Sequence, residues 1–99
     1  MTFTYVLRPQ AQNEYEDSFL WYLGRSIPTA ENFINHLENT FDLLCENPFL
    51  GKCIYRNVYE LMVKKFPFNV VYFIEEANNQ IVVVSIFHDK RNPEKKFNR

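Results

Sequence analysis

Residues 60–74 have the sequence ELMVKKFPFNVVYFI, and residues 80–93 follow with QIVVVSIFHDKRNP. Apolar and polar side chains alternate along residues 59–65 and 68–74, which is the period of a β-strand with two different faces. Residues 81–87 are apolar at nearly every position, as expected of a strand that is covered on both sides. These stretches therefore predict three consecutive strands.

The alternation assigns the side chains of the first two of these strands to opposite faces of the sheet. In the first strand, Tyr59, Leu61 and Val63 lie on one face and Glu60, Met62 and Lys64 on the other. In the second strand, Phe68, Val70, Tyr72 and Ile74 lie on one face and Asn69, Val71 and Phe73 on the other. Pro67 marks the connection between these two strands, because proline cannot donate a hydrogen bond to a sheet ladder.

The chain before residue 59 predicts one further strand and two helices. Thr4–Leu7 is a β-prone run, and apolar residues then recur every three or four positions from Gln10 to Leu23. The segment 24–28 contains Gly and Pro and predicts a tight turn into a second amphipathic helix over residues 29–46, with residues 49–57 as a loop. The fold class predicted is α+β, in the order βααβββ, with the helical hairpin packed on one face of a small, mainly antiparallel sheet.

Composition limits the classes of protein that the chain can belong to. The chain has 99 residues, of which 46% are hydrophobic, so we expect a single domain spanning residues 1–99. No apolar run is long enough to cross a bilayer and no signal peptide is recognisable, which favours a cytoplasmic protein without membrane contact. Residues 1–47 carry a net charge of −5 and residues 48–99 a net charge of +4. This split is consistent with an acidic partner or a nucleic acid at the sheet half, and equally with solvated faces that happen to differ in sign.

The sequence contains no motif for a metal, a cofactor or a covalent nucleophile. Cys45 and Cys53 lack the spacing of a zinc site, and two reduced thiols are the expectation. Gly-rich phosphate loops and zinc-protease motifs are missing from the sequence. We therefore expect no cofactor and no metal.

What remains is one imidazole among cations toward the end of the sheet. These residues are Arg56, Lys64, Lys65, His88, Lys90 and Arg91. A histidine with nearby cations can cleave RNA without a metal, since a base takes the 2′-hydroxyl proton and the cations stabilise the developing charge. The alternative is that His88 caps a strand end and Arg91 serves structure or partner binding. His36 lies on the polar side of the second predicted helix, where we expect it to face solvent.

At these residues the chain resembles a known family. The run FPFNVVY at residues 66–72 and the run IFHDKRNP at residues 86–93 resemble the RelE/ParE superfamily of toxins from bacterial type II toxin–antitoxin systems. The first strand and both helices are also similar, so the resemblance covers nearly the whole chain. It implies a growth-inhibiting toxin, of the kind associated with plasmid stabilization, that is neutralised by an antitoxin encoded beside it.

The superfamily divides by mechanism, and the resemblance implies three alternatives. A ParE-like toxin inhibits DNA gyrase without being a nuclease, whereas a RelE-like toxin cuts mRNA on the ribosome. A degenerate member only binds its antitoxin. The catalytic candidates for a RelE-like nuclease are Glu60 or His88 as the base, with Arg91, Lys64 and Lys65 as the cations. Three positions argue against the nuclease alternative. Glu60, Met62 and Asn69 stand where nuclease relatives usually have different side chains, including an arginine in place of Asn69.

Charge favours the ParE-like alternative. A pI near 6.1 is low for a protein that docks onto ribosomal RNA, because affinity for RNA grows with each phosphate contact. We expect a non-nuclease toxin acting on gyrase or another protein, in a hetero-oligomer with an antitoxin that covers the helical hairpin and an exposed sheet edge. Trp21, Arg56 and Lys90 are the candidate partner-binding residues, whereas Tyr22 is expected to pack in the core.

Overall fold

A computed structural model describes residues 3–89 of the chain. Its elements are β1 (Thr4–Leu7), α1 (Pro9–Leu23), α2 (Ile27–Glu46), β2 (Lys52–Tyr55), β3 (Val58–Met62), β4 (Phe68–Glu75) and β5 (Gln80–His88), with short 3-10 turns at Pro48–Leu50 and Glu76–Asn78. Lys90 and Arg91, two of the predicted site residues, lie outside the described residues.

The strands form one five-stranded sheet in the order β1-β5-β4-β3-β2. β1 runs parallel to β5, and the other neighbours are antiparallel. The predicted α+β class is confirmed, and the sheet has one strand more than predicted. β2 lies inside residues 49–57, which we predicted to be a loop. It is a four-residue edge strand with an irregular register, too short for its alternation to be visible in the sequence.

Both helices begin where the sequence offers a proline for the first turn. Pro9 starts α1, and Pro28 lies in the first turn of α2. The side chain of Ser26 caps α2 by accepting a hydrogen bond from the backbone N–H of Thr29 at 3.3 Å. α2 therefore begins at Ile27, two residues before the predicted start.

The helical hairpin covers the sheet face that the alternation marked as apolar. The buried core consists of Ala11, Phe33, Leu37, Phe41, Leu44, Val63, Phe68, Val70, Tyr72, Ile74, Ile81, Val83 and Ile86. Tyr59 and Leu61 pack against it from β3. We call this side of the sheet the helix face and the other side the open face.

A β-bulge divides β5 into two parts. Val71 pairs with Ser85 but Tyr72 pairs with Val83, so Val84 is an extra residue in β5. Beside the bulge, the Glu14 carboxylate of α1 accepts hydrogen bonds from the backbone N–H of Ile86 at 2.7 Å and from the Ser85 hydroxyl at 3.0 Å. β1 pairs with β5 only as far as Val83, so Glu14 takes over as the hydrogen-bonding partner of β5 where β1 has ended.

Candidate functional site

Three of the predicted catalytic side chains come together at one end of the sheet. His88 is the last residue of β5, and Lys64 and Lys65 lie in the connection from β3 to β4. This connection is tied to the end of β5 by the backbone N–H of Asp89, which donates to the carbonyl oxygen of Pro67 at 2.7 Å. Both lysines are exposed, and Lys65 has a φ of 70°, in the left-handed region. The site is therefore cationic at its rim.

The fourth described candidate, Glu60, lies on the opposite face of the sheet from His88. His88 pairs with Phe68, and their rings meet edge-on with centroids 5.1 Å apart on the helix face. Glu60 pairs with Val71 of β4, whose side chain belongs to the open face. Since paired residues share a face, the backbone of the sheet separates this imidazole from this carboxylate. They do not form a joint acid-base pair.

Asn69, at the position where nuclease relatives usually have arginine, holds the end of β5. Its amide Nδ2 donates to the Asp89 carboxylate at 2.9 Å. The Asn69 side chain is only 4% exposed, so this hydrogen bond is shielded from water. The residue that replaces the expected transition-state cation is therefore a structural link between β4 and the residue after β5.

The FPF run at residues 66–68 is a packing element. Its two phenylalanines surround the buried Phe33 ring of α2, with centroids 5.5 Å and 5.1 Å away. The ring of His36 lies 5.5 Å from that of Phe66, and His36 Nδ1 is 2.8 Å from the carbonyl oxygen of Asn32. His36 is half-buried here, which corrects the prediction that it faces solvent. The prediction failed because the phenylalanine that covers it comes from the loop before β4.

The tip of the helical hairpin carries an exposed aromatic residue. Trp21 is 41% exposed, and the guanidinium carbon of Arg25 lies 3.8 Å from its ring centroid. Leu20 and Ile27 are exposed beside it. Tyr22 is half-buried and packs on the aromatic rings of the core, as predicted. Trp21 thus keeps part of its side chain at the surface while Arg25 packs on its ring.

Arg56 lies at the other end of the sheet from His88, in the two-residue turn between β2 and β3. Its φ is 50°, and its guanidinium carbon lies 5.2 Å from the centroid of the exposed Tyr55 ring. Asn57 completes the turn and donates from Nδ2 to the carbonyl oxygen of Ile74 at 3.3 Å. Arg56 is therefore not part of the cationic rim near His88.

A half-buried polar link that the sequence did not reveal joins β1, α1 and α2. The Glu38 carboxylate accepts hydrogen bonds from the hydroxyls of Tyr5 at 2.8 Å and Tyr15 at 2.7 Å. We call these three residues the tyrosine clamp. Burial, reinforced by the hydrogen bond to Glu38, raises the pKa of Tyr5 to about 12. The same two causes raise the pKa of Tyr15 above its ordinary value. The helical pattern placed Glu38 on the polar side of α2, and no local signal identifies hydroxyl partners on two other elements.

No three of the His, Cys, Asp and Glu side chains within residues 3–89 lie close enough together to hold a metal ion. In that same part of the chain, no helix combines the length and the apolar character needed to cross a membrane.

The fold and the match to a family model together define the class of protein. Residues 5–93 match the model described as the ParE toxin of the type II toxin-antitoxin system parDE. The chain is a toxin of the RelE/ParE superfamily. Within that superfamily it belongs to the ParE toxin family, which confirms the resemblance seen in the sequence. No curated protein matches the chain.

Solved structures of toxins share the fold at low sequence identity. A chain from the chromosomal ParDE toxin–antitoxin system of P. aeruginosa is similar with a TM-score of 0.72 and 13% identity, over 88% of this chain and 96% of that one. A chain of the intact E. coli RelBE toxin–antitoxin complex is similar with a TM-score of 0.66 and 14% identity, over 90% of this chain and 99% of that one. A chain of the RelBE2 toxin–antitoxin complex of Mycobacterium tuberculosis is similar with a TM-score of 0.62 and 14% identity, over 89% of this chain and 99% of that one.

Proposed function

We propose that this toxin arrests growth by binding a protein, with DNA gyrase as the first target to test, and that it does so without cutting RNA. All 99 residues act as one cytoplasmic domain in this proposal, and a cognate antitoxin forms a hetero-oligomer with it. The observation that carries the proposal is the match of residues 5–93 to the model of the ParE toxin, and the separation of His88 from Glu60 by the sheet supports it because the two side chains cannot form a joint acid-base pair. The use of Asn69 as a structural link supports it further, because a nuclease needs a cation to stabilise the developing charge.

The experiment compares two readouts in cells that express the toxin. We expect plasmid DNA to lose negative supercoiling and a DNA-damage response to follow, while translated mRNA mapped by primer extension stays intact. Purified toxin is expected to inhibit supercoiling by gyrase in vitro. Normal supercoiling in a growth-arrested culture would contradict gyrase as the target.

A second function, ribosome-dependent mRNA cleavage, is favoured by one observation. His88, Lys64 and Lys65 share one end of the sheet, where an imidazole with two cations resembles a general base with charge-stabilising groups. Arg91 would join them from outside the described residues. Cleavage of translated mRNA that disappears in His88→Ala would establish this function. His36→Ala is the matched control, because both imidazoles lie edge-on against phenylalanines of the same aromatic cluster.

The antitoxin is proposed to cover the hairpin tip, with Trp21 as an anchor and acidic side chains placed near Lys90. Exposed tryptophans are frequent hot spots of protein interfaces. Trp21→Ala is expected to weaken capture of the toxin by tagged antitoxin at least tenfold. Leu43→Ala, which removes another exposed apolar side chain near the opposite end of α2, is expected to leave capture unchanged. Equal capture of the two variants would remove Trp21 from the interface.

A further inference from the structure

A second surface, remote from the hairpin tip, combines cations with exposed apolar side chains. Residues 47–59, which we call the cationic lobe, contain Lys52 and Arg56 and no acidic residue. Three of the large side chains in the lobe are exposed: Phe49 at 56%, Leu50 at 43% and Tyr55 at 63%. Tyr22 at the hairpin tip packs on Phe66 and Phe68, at the end of the sheet where His88 lies, whereas the turn that carries Arg56 is at the other end. The two surfaces are therefore separate in space.

The cationic lobe is held in place from inside the protein. The hydroxyl of the buried Tyr72 donates to the carbonyl oxygen of Pro48 at 2.8 Å and accepts from the backbone N–H of Gly51 at 3.0 Å. The ring of Phe49 packs edge-on against that of Tyr59, with centroids 5.8 Å apart. A surface that is already ordered loses less conformational entropy when it binds a partner.

The tip of the lobe keeps an arginine where the backbone favours glycine. Arg56 has a left-handed φ of 50°, a conformation that costs free energy for any residue with a Cβ atom. Backbone strain of this kind is common where a side chain is retained for function. Arg56 and Tyr55 lie together in a cation–π contact, and both residue types are enriched among interface hot spots.

The lobe also includes an edge strand. Within residues 3–89, β2 pairs with β3 and is the last strand of the sheet on that side. Its outer edge can therefore pair with an extended segment of another chain, and its short length and Lys52 discourage pairing with a second copy. The exposed Tyr55 side chain would lie beside such a segment.

We propose that the cationic lobe binds an acidic, extended segment of the protein that the toxin inhibits. This inference rests on the proposed function and assigns to it a target surface separate from the antitoxin surface at the hairpin tip. Charge complementarity with Lys52 and Arg56 makes the segment acidic. Two cations among exposed apolar side chains suit a protein better than a nucleic acid, whose affinity depends on many phosphate contacts.

The test uses substitutions that remove the proposed contacts without harming the fold. Arg56→Gly deletes the cation and relieves the left-handed backbone, so loss of function in this variant cannot be attributed to unfolding. Arg56→Lys keeps the charge, and Tyr55→Ser removes the exposed ring. Asn79→Gly is the control, because Asn79 also has a left-handed φ, at 52°, but carries no charge.

Growth arrest on induction and capture by tagged antitoxin are measured for each variant, with thermal unfolding as the check on folding. We expect Arg56→Gly and Tyr55→Ser to give at least tenfold more surviving colonies, while both still bind antitoxin. Arg56→Lys and Asn79→Gly are expected to arrest growth like the wild type. Binding of purified gyrase to immobilised toxin is expected to fall in parallel with growth arrest.

Each other outcome overturns the inference. Full growth arrest by Arg56→Gly would show that the lobe is not a target surface, and loss of antitoxin binding in that variant would assign the lobe to the antitoxin. Failure of Arg56→Lys to retain activity would contradict an acidic segment. If the wild type binds a 20-nucleotide RNA and Arg56→Gly does not, the partner of the cationic lobe is a nucleic acid and not a protein. A wild-type chain that does not arrest growth would instead refute the proposed function itself.

Discussion

Removing the carboxylate of the tyrosine clamp is expected to destabilise the protein strongly. In Glu38→Ala, the hydroxyls of Tyr5 and Tyr15 lose their acceptor while both rings remain half-buried. Hydrogen bonds to charged groups contribute about 1.5–3 kcal/mol each. The lower end of that range suits half-buried groups, so the two bonds together contribute about 3 kcal/mol. For a domain of this size, that loss lowers Tm by roughly 12–24 °C.

The assay is equilibrium unfolding in urea, followed by circular dichroism, with thermal melts in parallel. Glu31→Ala is the matched control, because Glu31 lies on the exposed side of the same helix. We expect the control to stay within about 0.5 kcal/mol of the wild type, as for most surface substitutions. Glu38→Gln retains one carbonyl acceptor and is expected to fall between Glu38→Ala and the wild type.

Equal free energies of unfolding for Glu38→Ala and Glu31→Ala would refute this reasoning. That result would mean that water satisfies both hydroxyls as well as the carboxylate does. The clamp would then not be what fastens β1 and α1 to α2. The tyrosine rings would contribute only through packing, such as the contact between Tyr5 and Phe41 at 4.6 Å.

Three further predictions concern the close approaches and polar links of the fold. Gly51→Ala would place a Cβ atom 2.6 Å from the hydroxyl of the buried Tyr72, and we expect it to lower the free energy of unfolding in urea by about 1–3 kcal/mol. Gly24→Ala is the control, because its Cβ atom would meet no atom nearer than 3.6 Å and should not destabilise the protein. Glu14→Ala removes two hydrogen bonds to β5 and is expected to lower the free energy of unfolding by about 2–4 kcal/mol. Glu16→Ala, at an exposed position of the same helix, is expected to change it by almost nothing. The stability that the tyrosine clamp adds is present below pH 10.0, the pKa of a phenol in the unfolded chain. It is lost as the pH rises through the pKa in the folded protein, which is about 12 for Tyr5. An alkaline pH titration should therefore bring the free energies of unfolding of the wild type and Glu38→Ala together.

The fold was largely predictable because its signals are local. The period-two pattern assigned the faces within β3 and within β4 correctly, and the apolar spacing of three to four residues located both helices. β2 was missed because it is an edge strand of four residues, most of them exposed, whose pairing depends on β3 rather than on its own sequence. The tyrosine clamp was missed for a related reason, since its partners meet only after three elements have packed.

The candidate site was less predictable because it depends on register. The sequence grouped Arg56, Lys64, Lys65 and His88 near the end of the predicted sheet. The structure brings His88 and the two lysines to one end and places Arg56 at the other, and it places Glu60, the alternative base, on the open face. The alternation in the sequence shows which side chains of one strand share a face. Which faces of two strands lie on the same side of the sheet depends on the register in which the strands pair.

The bulge at Val84 decides which face His88 occupies. If the pairing of Tyr72 with Val83 continued without the extra residue, Phe87 would lie opposite Phe68, and His88 would turn to the open face that carries Glu60. The observed bulge turns it instead to the helix face, and Glu14 binds the backbone of β5 next to that bulge. A carboxylate on α1 thus helps to hold His88 and Glu60, the two alternative bases of a nuclease, on different faces of the sheet. The two side chains therefore cannot act together on one bond of a substrate.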